Sequence, residues 1–241
     1  MKAYLLAAGE GRRLRPITEN LPKCLVPIDG NPLMRIWLEF LKNYNVTEVF
    51  INTSYHSNEI EEFLSSHDWG IKLTTSFEKK LLGSAGTIYD NRGFVNTEKE
   101  FLIIYADNLT NTNLNKIIEF HRGKKSDFTM GLFHTDKPQE CGMVELDKDN
   151  KIIKFIEKPK NSYSNLANAG IYVSSQRIFD YIPRKRPVDF GFDILPKLIG
   201  KMYGYIIEDY YIDIGTVDNY KKACNDWKEG LIAGGKNEEN K

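Results

Sequence analysis

The sequence begins with an apolar run that leads directly into a turn rich in glycine and arginine. Residues Ala3–Ala7 are apolar and strand-like, Gly9 and Gly11 follow, and Arg12 and Arg13 come next. Glycine tolerates a left-handed backbone and close approach, so the N–H groups of such a turn can converge on a phosphate. Arginine side chains then neutralise the charge that the amides hold. This segment predicts a polyphosphate site after the first strand of an α/β fold, and it favours a nucleotide over a nucleic acid.

Composition narrows the class of protein. The chain has 241 residues, 41% of them hydrophobic, with 33 Lys+Arg against 33 Asp+Glu. A balanced charge argues against a nucleic-acid binder, and no run approaches the roughly 20 apolar residues of a membrane span. The three scattered cysteines (Cys24, Cys141 and Cys224) are typical of a reduced, cytoplasmic protein. They share no zinc-ligand spacing with the four histidines.

Apolar periodicity predicts a single α/β domain. Strand-like runs alternate with amphipathic helical patterns through the first half, which is typical of a mostly parallel sheet with helices on both faces. The predicted strands are Ala3–Ala7, Glu48–Asn52, Lys72–Ser76, Phe101–Tyr105, Ala169–Val173 and Met202–Ile207. The predicted helices begin near Pro32, Glu59, Leu114, Gln176, Ile194 and Val217. Met143–Leu146 and Ile152–Ile156 predict a small β-hairpin insertion. We expect one Rossmann-like domain over 1–229 and a flexible C-terminal tail over 230–241.

The glycine turn alone does not settle the kind of nucleotide site. A dinucleotide fingerprint needs a third glycine where this chain has Leu14, and a P-loop motif is absent. Asn52 stands where a ribose-binding acid would follow the second strand. A hydride-transferring Rossmann enzyme is therefore disfavoured, while a plain glycine turn beside exposed arginines stays open at this point.

Six further segments follow the glycine turn along the chain and, together with it, indicate a protein family. They are Pro22-Lys23, Gly83-Ser-Ala-Gly86 after Glu78, Tyr105-Ala-Asp107-Asn108, Phe155-Ile-Glu157-Lys158-Pro159, Asn168-Ala-Gly170 and Ile212-Asp213-Ile-Gly215. With these segments the chain resembles the sugar-1-phosphate nucleotidyltransferases (nucleotide-sugar pyrophosphorylases) from Lys2 to about Asp226. The resemblance implies a GT-A-like nucleotidyltransferase fold. It also implies transfer of a nucleoside monophosphate from an NTP to a sugar 1-phosphate, with release of pyrophosphate.

The resemblance assigns the reacting centre to four residues. Arg13 would hold the triphosphate, Lys23 would reach the α-phosphate, and Asp107 and Asp213 would hold Mg²⁺. Two carboxylates completed by phosphate and water oxygens suit that ion. A turn role for Asp107, and a turn or helix N-cap role for Asp213, stay open as alternatives.

The resemblance also assigns the two substrate pockets. The NTP would be bound by Ala7, Ala8, Gly9, Glu10, Gly11, Arg12, Glu78, Gly83 and Gly86, and the sugar phosphate by Gly142, Glu157, Lys158, Asn168 and Asp193. For Asp193, an N-cap of the helix beginning at Ile194 is an equal alternative. The chain departs from the family pattern at Ala8, Arg12 and Ala106, which bears on the choice of base.

The compact length and the Asp189-Phe-Gly-Phe-Asp-Ile-Leu-Pro196 segment most resemble guanylyltransferases for mannose- or heptose-type 1-phosphates. Thymidylyl-, uridylyl- and cytidylyltransferases, including phosphocholine enzymes, are the alternatives. A catalytically silent, nucleotide-sugar-binding regulatory subunit is an alternative of another class. We expect GTP and a sugar 1-phosphate as ligands and a homodimer as a possible assembly. We expect no nucleic-acid or membrane partner and no fused hexapeptide β-helix.

Overall fold

The computed structural model describes residues 1–161 and 163–232. Its strands are β1 (Lys2–Leu6), β2 (Pro27–Ile28), β3 (Asn31–Pro32), β4 (Glu48–Thr53), β5 (Lys72–Phe77), β6 (Glu100–Tyr105), β7 (Asn108–Thr110), β8 (Phe128–His134), β9 (Gly142–Leu146), β10 (Ile152–Glu157), β11 (Leu166–Ser175), β12 (Tyr203–Ile206) and β13 (Tyr211–Asp213). Its α-helices are α1 (Leu33–Asn43), α2 (Ser57–Ser65), α3 (Ser84–Asp90), α4 (Leu114–Gly123) and α5 (Val217–Lys228). Of the predicted tail over 230–241, residues 233–241 lie outside the described residues, and Ile232 within its described part is buried against the core.

One sheet of nine strands organises the molecule. Its order is β10-β9-β11-β6-β1-β4-β5, with β8 pairing with both β11 and β12. Strands β6, β1, β4 and β5 are parallel, whereas β11 runs antiparallel to β6, β8 and β9. The predicted α/β fold with a mixed sheet is confirmed. Because β1 continues to β4 on one side and pairs with β6 on the other, a crevice opens beyond its carboxyl end, where open α/β sheets bind ligands.

The central strands send alternate side chains into two cores. In β1, Ala3 and Leu5 pack under α1, α2, α4 and α5, whereas Tyr4 faces the opposite layer. In β6, Leu102 and Ile104 belong to the first core and Phe101 and Ile103 to the second. Such continuous apolar strands need cover on both faces, which the helices supply. The paired cores make the sheet a rigid base for the loops at its carboxyl edge.

The second half of the chain departs in detail from its sequence pattern. The predicted hairpin is confirmed, since β9 and β10 pair antiparallel from Gly142 to Leu146. Strand β8 was not predicted, because Gly131 interrupts its apolar run. The helices predicted over Gln176–Ile182 and Ile194–Leu198 are instead short 3₁₀ turns, with a π-helical turn over Phe190–Ile194. Among the described residues, no helix has the length and apolar character needed to cross a bilayer.

Candidate active site

Three cavities meet at the carboxyl ends of β1 and β6, and Asp107 lines all of them. The first, of about 280 Å³, lies beside Ala7, Ala8 and Glu78 and is called here the nucleotide cavity. The second, of about 230 Å³, lies beside Glu157 and is called the sugar cavity. The third, of about 320 Å³, lies along Gly9–Arg13 and is called the phosphate cavity. A ligand with three chemical parts could therefore extend around one carboxylate.

The glycine turn is fixed at its base and open at its centre. The Ala7 N–H donates to Asn52 Oδ1 at 2.8 Å, which ties the end of β1 to β4. Gly11 has a left-handed φ of 64°, and its carbonyl accepts from Thr18 Oγ1 at 2.8 Å. A Cβ added at Gly9 would meet no atom within 4 Å. Protein atoms thus leave space around Gly9 that a phosphate could fill, as the sequence predicts.

Gly215 marks the point where three charged side chains converge. A Cβ placed there would lie 2.8 Å from Asp213 Oδ1 and 3.0 Å from both Arg13 Nη2 and Lys23 Nζ. The Gly215 N–H itself donates to Asp213 Oδ1 at 2.6 Å. Lys23 Nζ also contacts Asp107 Oδ2 at 2.5 Å. The four residues predicted as the reacting centre are therefore brought together, although they are far apart in sequence.

Backbone pairing fixes the relative position of the two aspartates. Strands β7 and β13 are antiparallel, with Asp213 opposite Asn108, and the Ile214 N–H donates to the Asp107 carbonyl at 3.0 Å. Burial opposes the ionisation of Asp107, yet the Lys23 ammonium outweighs it and holds the pKa of Asp107 below its ordinary value. Burial and then the Asp107 carboxylate raise the pKa of Asp213. The pair concentrates negative charge that a cation would relieve.

The residues present fit a magnesium ion better than a fully protein-ligated metal. The described part of the chain contains no group of three or more His, Cys, Asp or Glu side chains placed to hold a metal. Mg²⁺ takes one or two protein carboxylates and completes its shell with phosphate and water. Asp107 and Asp213 at the junction of the cavities match that donor set.

Glu78 lies in the wall of the nucleotide cavity as part of a closed hydrogen-bond network. Its Oε1 accepts from Asn52 Nδ2 at 2.9 Å and from Thr87 Oγ1 at 2.5 Å, and its Oε2 accepts from the Leu82 N–H at 2.9 Å. Its exposed fraction is only 4%. The carboxylate thus orders the wall chiefly through protein partners, a role that the sequence motif alone did not indicate.

Of the two predicted glycines nearby, one lines this cavity. Gly83 does so with a φ of 78°, and a Cβ there would lie 2.3 Å from the Val188 carbonyl oxygen. Gly86 does not line it, because it packs against Arg186, whose Cδ would be 2.8 Å from a Cβ. The Gly86 N–H donates to the Val188 carbonyl at 3.0 Å, so this glycine joins α3 to the 188 segment.

Two glycines make room for Glu157 in the sugar cavity. A Cβ at Gly142 would lie 2.6 Å from Glu157 Oε2, and one at Gly191 would lie 2.5 Å from it. Burial raises the pKa of Glu157, Lys158 opposes that change and Asp189 adds to it. Within the described residues this carboxylate accepts no hydrogen bond, so it is available to the hydroxyl groups of a ligand.

Lys158 and Asn168 also line the sugar cavity, as predicted. Lys158 has a φ of 48°, and its N–H donates to the Cys141 carbonyl at 2.9 Å. Asn168 donates through Nδ2 to Tyr172 Oη at 2.7 Å and accepts from the Gly170 N–H at 2.9 Å. The lysine is thus presented by a turn anchored to the neighbouring loop, whereas the Asn168 side chain already has protein partners.

Asp193 is not among the residues that line the three cavities. Its Oδ2 accepts from the Asp189 N–H at 2.8 Å, and its Oδ1 lies 3.7 Å from Lys185 Nζ. Asp189, four residues earlier, instead lines both the nucleotide and sugar cavities, as Asp107 does, and it also caps the π-helical turn. Asp189 was not predicted from the sequence, because its position depends on a contact with Ser84, 105 residues away.

The remaining predicted residues of the turn, Glu10, Arg12 and Arg13, differ in their ion-pair partners and exposure. Glu10 and Arg12 line the phosphate cavity and form an ion pair with each other. The Arg12 side chain is 75% exposed, whereas Arg13 reaches across to Glu140, with Nη1 and Oε2 3.5 Å apart. Arg13 is therefore the arginine directed at the junction of the cavities.

Comparison with known proteins agrees with this arrangement. The family model described as "Nucleotidyl transferase" matches residues 2–230. A D-glycero-alpha-D-manno-heptose 1-phosphate guanylyltransferase of Aneurinibacillus thermoaerophilus is 34% identical, over 92% of this chain and 96% of the relative. A UTP–glucose-1-phosphate uridylyltransferase of Synechocystis is 33% identical, over 92% of this chain and 62% of the relative.

A solved structure supports the same relationship. HddC of Yersinia pseudotuberculosis, complexed with GMP-PN, has a TM-score of 0.80 and 26% identity, covering 94% of this chain and 99% of the other. The chain therefore belongs to the nucleotidyl transferase family.

Proposed function

We propose that this protein transfers a nucleoside monophosphate from an NTP to a sugar 1-phosphate, forming an NDP-sugar and pyrophosphate. The observation that carries the proposal is the convergence of Arg13, Lys23 and Asp213 on Gly215, with Asp107 joined to Lys23. This cluster lies where the phosphate cavity meets the nucleotide and sugar cavities. Such a layout suits a reaction between phosphate groups of two substrates.

The chain's own residues supply binding and charge neutralisation. A sugar phosphate is an anionic nucleophile at neutral pH, so no general base is needed, and the barrier falls through alignment and electrostatics. Arg13 and the turn amides would hold the β- and γ-phosphates, which leave as pyrophosphate. Lys23 would neutralise the α-phosphate during in-line attack, and Lys158 would hold the incoming sugar phosphate.

Asp107 and Asp213 would hold Mg²⁺ against the triphosphate. The ion supplies charge neutralisation on phosphate oxygens when bound. Lys23 is paired with Asp107 here and would move from that carboxylate to the α-phosphate as the NTP enters. Burial, and then the neighbouring Asp107 carboxylate, raises the pKa of Asp213, and a cation held between the two carboxylates would favour the ionised form of both.

We further propose GTP as the nucleotide and a mannose- or heptose-type 1-phosphate as the acceptor. Support comes from the guanylyltransferase relative and from the neighbour complexed with GMP-PN. The uridylyltransferase relative keeps a pyrimidine nucleotide as the alternative. Three cysteines without disulfides support a cytoplasmic location, and a homodimer stays a prediction.

The proposal is tested by pyrophosphate release with Mg²⁺ across GTP, ATP, UTP, CTP and dTTP. Each is combined with mannose, heptose, glucose and N-acetylhexosamine 1-phosphates, with phosphocholine as an outlier. Strong turnover with GTP and one sugar phosphate is expected. Turnover with another base would keep the reaction and overturn the guanylyl assignment. If no combination released pyrophosphate but the protein still bound a nucleotide sugar, the result would contradict an enzymatic function and favour a regulatory subunit.

A further inference from the structure

Phe192 is a large aromatic side chain left open to solvent at the edge of the sugar cavity. It is 63% exposed and lines that cavity together with Glu157 and Lys158. Single exposed apolar side chains are common on protein surfaces, but this one borders a cavity that also holds a carboxylate and an ammonium group. Within the described residues no aromatic ring packs on it, and the Lys158 ammonium lies over its face. The side chain therefore differs from Phe190, two residues earlier, which is fully buried.

The backbone that carries Phe192 is firmly held. Asp189 Oδ1 accepts from the Gly191 N–H at 2.8 Å and the Phe192 N–H at 3.4 Å. Asp189 Oδ2 accepts from Ser84 Oγ at 2.9 Å, and Ser84 Oγ in turn accepts from the Phe190 N–H at 2.8 Å. These bonds tie the turn to the start of α3. The backbone beneath the exposed ring is thus fixed, so binding a ligand would require ordering of the side chain but not of the turn.

This ring lies beside Lys158 and Glu157, the two residues proposed to hold the sugar phosphate. Lys158 Nζ lies over the ring of Phe192, 6.0 Å from its centroid, so one face of the ring is turned toward the ammonium that would hold the sugar phosphate. Gly191, the residue before Phe192, has no side chain and so leaves the space that the Glu157 carboxylate occupies. A phosphate held by Lys158 and hydroxyl groups held by Glu157 would bring the attached pyranose against the ring. One face of a pyranose carries mainly C–H groups, which pack favourably on an aromatic surface.

We propose that Phe192 is a sugar-binding residue that stacks on the C–H face of the sugar 1-phosphate. This inference rests on the proposed function, because it assigns a role within the sugar cavity. The ring selects ligands that present an apolar ring face and contributes nothing to the phosphate. It therefore acts on acceptor affinity and leaves the NTP untouched.

The test measures binding separately from turnover. Affinities for mannose, glucose and N-acetylglucosamine 1-phosphates and for inorganic phosphate are compared in wild type, Phe192→Ala and Phe192→Tyr. Phe77→Ala is the matched control, since Phe77 is 58% exposed and lines none of the three cavities. We expect Phe192→Ala to weaken sugar phosphate binding about tenfold, the scale of one aromatic contact. Phe192→Tyr and Phe77→Ala should stay near wild type, and phosphate affinity should not change.

Proton NMR of the bound sugar supplies a readout that a structural role would not move. Its C–H protons should shift upfield in wild type through the ring current and lose that shift in Phe192→Ala. Unchanged affinity and shifts in Phe192→Ala, or no binding of any sugar phosphate to wild type, would overturn the proposal. A different outcome would refute the proposed function and not the stacking role of Phe192. In that outcome, the sugar phosphate binds in a Phe192-dependent way with upfield-shifted protons, but no NTP supports turnover.

Discussion

Replacing Gly215 by alanine tests whether the converging cluster drives the reaction. The added Cβ would lie 2.8 Å from Asp213 Oδ1 and 3.0 Å from Arg13 Nη2 and Lys23 Nζ, while ordinary contact begins near 3.4 Å. Each charged group must therefore move by about half an ångström. The backbone at Gly215 is not left-handed, so alanine itself is tolerated there. The three atoms are the far ends of flexible side chains, which can shift without unfolding the domain.

A displacement of about 1 Å at a reacting centre can cost about 100-fold in rate. We therefore expect Gly215→Ala to lower kcat by about 10- to 100-fold. The melting temperature should change little, because no buried apolar contact is lost. Pyrophosphate release at saturating NTP and sugar phosphate gives kcat, and thermal unfolding gives stability.

Gly93→Ala is the matched control. A Cβ at Gly93 meets no atom within 4 Å, and its φ is not positive. This variant should keep wild-type kcat and a similar melting temperature. Full activity in Gly215→Ala with an intact fold would refute the reasoning that these three charged groups act at their observed positions.

The remaining predictions concern the metal site and the sugar cavity. Asp107→Asn and Asp213→Asn should each lower kcat by at least about 100-fold with the fold kept, as measured by Mg²⁺ titration of pyrophosphate release and circular dichroism. Full activity of the double variant would refute the metal assignment. Lys158→Ala should raise KM for the sugar phosphate by about 10- to 100-fold, because the exposed ammonium would lose one charge-assisted hydrogen bond worth about 1.5–3 kcal/mol; a change confined to the NTP KM would show that Lys158 is misassigned. Gly191→Ala should raise the same KM, because its Cβ would lie 2.5 Å from Glu157 Oε2, and an unchanged KM would contradict a sugar role for Glu157.

The fold was largely predictable because its central strands are continuous apolar runs. Strands β1, β4 and β6 are buried on both faces, and their sequence shows it directly. Strand β8 was missed because Gly131 breaks the pattern, and a Cβ there would lie 3.2 Å from the Ile171 carbonyl oxygen. Close approach of neighbouring strands, which one sequence does not reveal, explains that glycine.

Site residues that directly follow a strand were predictable from the sequence. Residues whose position depends on tertiary packing were less predictable. Asp107 follows β6 and could be placed at the ligand-binding edge of the sheet. Asp189 could not, because its role arises from Ser84 at the start of α3. Glu78 was identified from its motif, yet its hydrogen bonds to Asn52 and Thr87 depend on the packing of β4 against α3.

Tracing the phosphorus atoms of the NTP tests the central claim most directly. Enzyme, Mg²⁺ and the preferred sugar 1-phosphate are incubated with NTP labelled either at the α- or at the γ-phosphorus. Attack by the sugar phosphate on the α-phosphorus predicts α-label in an NDP-sugar and γ-label in pyrophosphate, both only when the sugar phosphate is present. Recovery of γ-label in the sugar, or release of labelled products without sugar phosphate, would contradict the account.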